Sequence, residues 1–159
     1  MNQNQDASLA PPRFVDGGSM CIAGIGNRYT SDASAGIAAQ WQRIQPYLGR
    51  VPGQVGKLAY GVCRNGPDGG FEYLCGVEVG DAGALPPGWA QLQLAPARYA
   101  VFVHRGPVSA IRSTFEAIWR TWLPASGCRV ADAPILECYG ETFNPENGSG
   151  GIEIWVPLA

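Results

Sequence analysis

Two stretches of this chain repeat one helical spacing of large apolar side chains. Both follow the order i, i+4, i+7, i+11, with Ile37, Trp41, Ile44 and Leu48 in the first stretch and Ile111, Phe115, Ile118 and Trp122 in the second. Residues at this spacing share one face of an α-helix, so each stretch is predicted to be an amphipathic helix. Short motifs after the helices also repeat: Leu58–Gly61 is similar to Glu137–Gly140, and Gly69–Glu72 is similar to Gly150–Glu153. The chain is therefore predicted to contain one structural unit twice, with a ligand cleft at the junction, where small-molecule pockets often form.

Each unit is predicted to run strand, helix, strand, strand. The units span residues 13–83 and 91–159 of a single domain, and residues 1–12 are expected to be a disordered tail. The elements of the first unit are a strand over Phe14–Tyr29, a helix from about Ser34 to Leu48 that Pro46 kinks or ends early, and strands over Gly56–Arg64 and Phe71–Val79. Those of the second unit are a strand over Gln91–His104 broken near Pro96, a helix from Pro107 to about Leu123 that Pro124–Gly127 stops, and strands over Pro134–Phe143 and Ile152–Leu158. The predicted class is α+β, with both helices on one side of a mainly antiparallel sheet.

The composition argues against several classes of function. The chain of 159 residues has a net charge of −2, and its eleven Lys and Arg residues are scattered, so no direct nucleic-acid binding is expected. The first twelve residues contain neither a signal peptide nor a membrane span, which predicts a soluble cytoplasmic protein without a membrane partner. The five cysteines lie at least ten residues apart and the chain has one histidine, so we expect reduced thiols and neither a metal nor a cofactor.

The stretch from Ile135 to Phe143 carries the candidate binding residue. Strand alternation separates Leu136 and Cys138, which we expect to pack under the helices, from a second face that holds Ile135, Glu137, Tyr139, Glu141 and Phe143. That second face mixes aromatic rings with carboxylates, which a plain core avoids because a buried, unpaired carboxylate is costly. A pocket around Glu137 explains the mixture. The alternative is a solvated strand glutamate near a sheet edge, and Glu141 and Glu153 are weaker candidates for the carboxylate.

Aromatic residues are predicted to form the wall of this pocket. Tyr60 holds the position in the first unit that matches Tyr139, so the two tyrosines are expected to face each other while only the second unit supplies a carboxylate. The remaining candidates for the wall are Trp41, Tyr99, Trp119 and Trp155. An aromatic wall around one carboxylate suits a flat, lipophilic cation. His104 is a candidate for a Cys–His nucleophile pair, although no motif supports it, and Gly24–Tyr29 lacks the third glycine of a dinucleotide-binding loop.

Several motifs together resemble the GyrI-like small-molecule-binding domain, which is also the effector-binding domain of bacterial transcription activators of the AraC, Rob and multidrug-regulator type. The motifs are Phe71–Val79, Tyr99–Pro107, Ile118–Gly127, Leu136–Tyr139 and Glu153–Leu158. The resemblance implies a duplicated fold whose central cleft binds amphipathic, often cationic, aromatic compounds around a glutamate. Glu137 and Tyr139 match the family's glutamate and tyrosine, with Leu136 in place of an aromatic residue. Some relatives are fused to a helix-turn-helix segment, for which too few residues precede the first strand here.

Three functions remain open. The leading hypothesis is stand-alone binding of lipophilic, aromatic, cationic molecules, for drug sensing or sequestration. The second is a hydrolase, as in relatives that open strained cyclopropane-containing antibiotics, with Glu137 activating water and Tyr139 donating a proton. The third is a protein-interaction or inhibitor role, which requires an exposed apolar patch.

Overall fold

The computed structural model describes residues 9–30, 34–65, 70–80, 85–140, 143 and 150–159, with the backbone alone at residues 34 and 35. The strands are β1 (Arg13–Gly17), β2 (Met20–Tyr29), β3 (Ala59–Asn65), β4 (Phe71–Val79), β5 (Ala90–Leu94), β6 (Ala97–His104), β7 (Ile135–Tyr139) and β8 (Ile152–Leu158). The helices are α1 (Ser34–Ile44), α2 (Ile111–Ala117) and α3 (Leu123–Ser126). A π-helical segment, Ile118–Trp122, joins α2 and α3 into one continuous helical rod, which is called the second rod because it follows α1. None of the helices in these ranges has the length and apolar character of a bilayer-spanning segment.

Within the described residues the strands form one antiparallel sheet in the order β1-β6-β8-β7-β3-β4-β2-β5. The three strands β2, β4 and β3 mirror β6, β8 and β7, so that β3 and β7 meet at the centre. This arrangement confirms the predicted α+β class with two strand, helix, strand, strand units.

The first predicted strand, Phe14–Tyr29, is wrong in one respect, because it is two strands on opposite halves of the sheet. β1 pairs with β6, whereas β2, two residues later, pairs with β4 and β5. Gly18 lies in the two-residue connection between these strands and has open space around it. The predicted break near Pro96 likewise divides one predicted strand into two, β5 and β6, which pair in different halves of the sheet. The short leading strand of each unit therefore pairs with the other unit.

Both helices depart slightly from their predicted ends. α1 ends at Ile44 and passes into a 3₁₀ turn that contains Pro46, as expected for a residue without a backbone N–H. The second helical rod continues beyond Leu123, through Pro124, and ends at Gly127, whose φ of 77° is left-handed. Proline has no N–H for the helical hydrogen bond, and its ring clashes with the carbonyl group of the preceding helical turn. The wider π-helical turn before Pro124 accommodates the missing hydrogen bond and the ring.

Buried apolar residues lie on both faces of the sheet. On the helix side, α1 covers a cluster that contains Ile25, Ile44, Tyr73 and Cys75, and the second rod covers one that contains Ala100, Phe102, Ile118, Ile154 and Val156. Leu9, within the segment predicted as a tail, packs against the second of these clusters. The opposite face holds a third cluster, formed by Ile22, Tyr60, Val62, Leu74, Leu94, Tyr99, Val101, Leu136 and Cys138. The prediction that Leu136 and Cys138 pack under the helices is therefore wrong, and the alternate residues of β7 face the helices instead.

Candidate functional site

Glu137 lies at the centre of the sheet, on the face that the helices cover. Its strand, β7, is paired on both sides, so that Glu137 stands between Gly61 of β3 and Ile154 of β8. Its neighbours Leu136 and Cys138 are apolar and point into the opposite core, which fixes the direction of the glutamate. Only 9% of Glu137 is exposed. The candidate carboxylate is therefore a buried side chain, and the alternative of a solvated edge glutamate is wrong.

One oxygen of the Glu137 carboxylate receives two hydrogen bonds. The Tyr73 hydroxyl, from β4, donates to Oε1 at 2.7 Å, and the Tyr139 hydroxyl donates to the same atom at 2.8 Å. The Trp41 indole N–H, from α1, donates in turn to the Tyr73 hydroxyl oxygen at 2.9 Å. Among the described residues nothing donates to the second oxygen, Oε2.

The Glu137 carboxylate has no cationic partner in the described part of the chain, where every ion pair involves other residues. Burial raises the pKa of Glu137 above its ordinary value of 4.5, and the hydrogen bonds from Tyr73 and Tyr139 act in the opposite direction. Burial also raises the pKa of both tyrosines, and the neighbouring carboxylate raises them further, so their hydroxyl groups stay protonated as donors. The site is thus a buried carboxyl group without a counter-charge among the described residues.

Aromatic and aliphatic side chains from both helical elements surround Tyr139. The Trp41 ring packs edge-on against the Tyr139 ring at a centroid distance of 4.9 Å, and the Phe143 ring does so at the same distance. Ile111, the first residue of the second rod, and Val108, in the 3₁₀ turn just before it, belong to the same cluster. The candidate site therefore lies between α1 and the second rod, above the central strands.

Gly61 provides the space for the hydrogen-bond network. A Cβ atom at this position would overlap the Tyr73 hydroxyl and lie 2.7 Å from Glu137 Oε1. Neither the Tyr73 ring nor the carboxylate could keep its place beside any larger residue. Neither Gly61 nor Tyr73 was among the predicted site residues. A glycine within an otherwise apolar strand was the available signal, since such a glycine often marks a close approach by another group.

Residues 10–159 match the family model of the GyrI-like small molecule binding domain. The chain belongs to this family. The resemblance seen in the sequence motifs is thereby confirmed over nearly the whole chain, and small-molecule binding is the activity that the family description states.

Several individual proteins are similar to this chain. The structure of SAV2435 bound to tetraphenylphosphonium has a TM-score of 0.77 and 26% sequence identity to this chain, over 94% of both chains. The transcriptional regulator BrlR of Pseudomonas aeruginosa is 28% identical over 137 residues, which make up 84% of this chain and 51% of BrlR. The EcmrR C-terminal domain, at 14% identity and a TM-score of 0.71, shares the fold over 95% of this chain and 98% of its own length. This GyrI-like chain spans about half the length of the curated relatives it matches.

The structure brings together only part of the predicted aromatic wall. Trp41 and Tyr139 lie at the Glu137 site, but Tyr60 pairs in register with Cys138 and lies on the opposite face of the sheet. Tyr60 therefore does not face Tyr139, and that expectation is wrong. The physical reason is a register difference of one residue, which reverses the face on which a strand side chain lies.

The other predicted aromatic residues lie away from the carboxylate. Tyr99 and Trp155 pack together on the opposite face, with ring centroids 5.4 Å apart. Trp119 is on the helix side, but it packs beside Phe115 in the cluster around Phe102.

The weaker polar candidates have structural partners or lie outside the described residues. Glu153 is on the opposite face, where Arg13 contacts it at 2.9 Å and the Trp155 indole N–H donates to it at 3.1 Å. Glu141 lies outside the described residues. The His104 ring contacts Thr114 Oγ1 through Nδ1 and the Pro107 carbonyl through Nε2, which ties β6 to the second rod.

Two surface cavities lie away from Glu137. One, of about 250 Å³, is lined by residues that include Cys138 and Glu153, and the other, of about 420 Å³, by residues that include Arg64 and Glu72. No described residue that lines either cavity is a buried carboxylate, whereas Glu137 is one, so the chemistry favours the Glu137 site over either cavity. In the described ranges no three His, Cys, Asp or Glu side chains gather as metal ligands would.

Proposed function

We propose that this protein binds lipophilic aromatic cations at Glu137, between Trp41, Tyr139 and the start of the second helical rod. The observation that carries this proposal is the buried carboxylate, 9% exposed, without a described cationic partner. SAV2435, a similar protein, was solved with tetraphenylphosphonium, which is a cation of this class. Such binding would serve drug sensing or sequestration.

The physical reason for cation selectivity is the cost of the empty site. An ionised carboxylate away from water is unfavourable unless a positive charge or several hydrogen bonds compensate it. A cation that reaches Glu137 supplies this compensation, and the rings of Trp41 and Tyr139 offer aromatic surface to its apolar groups. A matched anion would meet the same apolar surface together with a like charge.

Entry to the site requires a side chain to move. The Tyr139 ring is flanked by Trp41 and Phe143, which leave little of Glu137 exposed. Trp41 is only partly buried and stands on α1, at the end of the hydrogen-bond chain. We therefore place ligand entry at the Trp41 ring, which makes its indole fluorescence a reporter of binding.

Two ions of the same shape and opposite charge provide the test. Tetraphenylphosphonium and tetraphenylborate should be titrated into the protein by calorimetry under identical conditions. We expect saturable binding of the phosphonium and much weaker binding of the borate. Equal affinity for both ions would show that shape and apolar surface alone determine binding, and the proposal would be abandoned.

The same carboxylate favours hydrolysis of strained electrophiles as a second candidate function. A buried glutamate with a raised pKa and one oxygen without a donor has the properties of a general base. Water would form a C–O bond to the electrophile as the strained C–C bond breaks, and Tyr139 would leave its hydrogen bond to Glu137 and protonate the carbonyl oxygen that receives the electron pair. The test is product formation from a cyclopropane-containing electrophile, followed by mass spectrometry, with Glu137→Gln as the control. A rate that is equal in the two proteins would exclude a catalytic role for Glu137.

A further inference from the structure

We infer that the Glu137 site favours cations whose charged centre carries an N–H donor, such as protonated tertiary amines, over quaternary cations of the same size. The inference rests on the proposed cation-binding function and specifies the ligand chemistry of that site. It follows from the way in which the two tyrosines use the carboxylate.

The two carboxylate oxygens of Glu137 are not equivalent. Oε1 accepts from Tyr73 at 2.7 Å and from Tyr139 at 2.8 Å, and a carboxylate oxygen has about two acceptor positions. Oε1 is therefore saturated. Oε2 belongs to the same buried group and has no donor among the described residues. A buried acceptor without a partner is unusual in folded proteins, which points to a partner beyond the described residues, and we infer that a bound ligand supplies it.

The network keeps the tyrosine protons away from Oε2. The Tyr73 hydroxyl has one proton, which it donates to Oε1, and its oxygen accepts the Trp41 indole proton. Tyr139 likewise has one proton and donates it to Oε1. Moving either proton to Oε2 would break an existing hydrogen bond of the carboxylate. The described hydrogen bonds therefore leave Oε2 as an acceptor for a ligand donor.

A protonated amine can donate a hydrogen bond to Oε2 and a quaternary cation cannot. An N–H group on a positive nitrogen forms a short, charge-assisted hydrogen bond with a carboxylate oxygen. In a quaternary ammonium or phosphonium, carbon atoms surround the charge, so the cation stays farther from Oε2 and leaves it unsatisfied. The stronger hydration of the free amine reduces the difference, and we expect a preference of roughly tenfold in Kd.

The test uses two cations that differ by one methyl group. N,N-dimethyl-1-naphthylmethylamine in its protonated form and trimethyl(1-naphthylmethyl)ammonium are titrated by calorimetry at a pH where the amine is fully protonated, with tetraphenylphosphonium as the reference cation. We expect the amine to bind about tenfold more tightly than its quaternary analogue. Glu137→Gln should abolish this preference, because its amide N–H₂ replaces Oε2 as a donor, and Glu153→Gln, on the opposite face, should retain it.

The outcomes separate the two proposals. Equal or weaker binding of the amine, with tetraphenylphosphonium still bound in a Glu137-dependent way, overturns the inference and leaves cation binding intact. If none of the three cations binds, cation binding itself is refuted and the inference falls with it. The comparison in the unmodified protein decides the matter even if Glu137→Gln does not fold.

Discussion

Replacing Glu137 with glutamine removes the buried charge and preserves the side-chain volume. In the structure both tyrosine hydroxyls donate to Oε1, which the amide oxygen of glutamine can replace. The substitution therefore keeps the acceptor of Tyr73 and Tyr139 and changes only the atom at the Oε2 position together with the charge. This makes Glu137→Gln a test of the charge rather than of the fold.

Tetraphenylphosphonium has no N–H donor, so the expected loss of affinity is the Coulomb attraction between its charge and the carboxylate. Across roughly 6–10 Å, at an effective dielectric constant of about 20, this attraction is about 1.5–3 kcal/mol, which corresponds to roughly a tenfold to somewhat more than a hundredfold rise in Kd. Isothermal titration with tetraphenylphosphonium measures it directly. The matched control is Glu153→Gln, which removes a carboxylate that pairs with Arg13 on the opposite face and should leave the Kd unchanged.

The stability of Glu137→Gln provides an independent check. Because the pKa of Glu137 is raised in the folded protein, the native state loses stability as the pH rises from 4.5 through the folded pKa. Glutamine does not titrate, so the variant should be at least as stable as the parent protein at neutral pH by urea denaturation. A strong loss of stability with unchanged cation affinity would identify Glu137 as a structural residue and refute the reasoning.

Three further outcomes are expected. Affinity for tetraphenylphosphonium should rise with pH from 4.5 through the raised Glu137 pKa and then level off, because the cation binds the ionised form; a flat calorimetric profile would contradict this. Gly61→Ala should destabilise the protein by about 1–3 kcal/mol in urea denaturation and weaken cation binding, because its Cβ overlaps the Tyr73 hydroxyl; unchanged values would remove Gly61 from the site. Ligand binding should change the tryptophan emission of the parent protein but not that of Trp41→Phe, in which four other tryptophans remain. If the signal is lost in Trp119→Phe instead, the ligand binds beside Trp119 on the second rod.

Helical spacing and the short repeated motifs predicted much of the fold. The apolar positions around Trp41 and Phe115 lie in the two helical elements, and Pro46 and Pro96 interrupt elements where their missing N–H groups require it. Glu137 and Tyr139 were predicted to share a strand face, and they do. These features depend on local periodicity, which a single sequence contains.

The relation between the two units was harder to predict because it depends on long-range register. The shared Tyr-Gly motif aligns Tyr60 with Tyr139, yet in the structure Ala59 pairs with Tyr139, and Gly61 pairs with Glu137. Aligning the two units by their Tyr-Gly motif is therefore wrong by one residue: Ala59 and Gly61, not Tyr60, share the sheet face of Glu137 and Tyr139. An error of one residue is small along the chain but moves a side chain through the sheet, which is why Tyr60 was assigned to the site.

The central strands also explain why only one unit supplies the carboxylate. Opposite Tyr139 and Glu137, β3 presents Ala59 and Gly61, the two smallest side chains available. The space that these residues leave is occupied by the Tyr73 hydroxyl and by the carboxylate it contacts. A second glutamate in β3 would both overlap this network and bring a like charge into the same buried volume. Cation recognition at the junction of two similar units thus depends on their difference at these positions, since one strand contributes the charge and the other contributes the room for it.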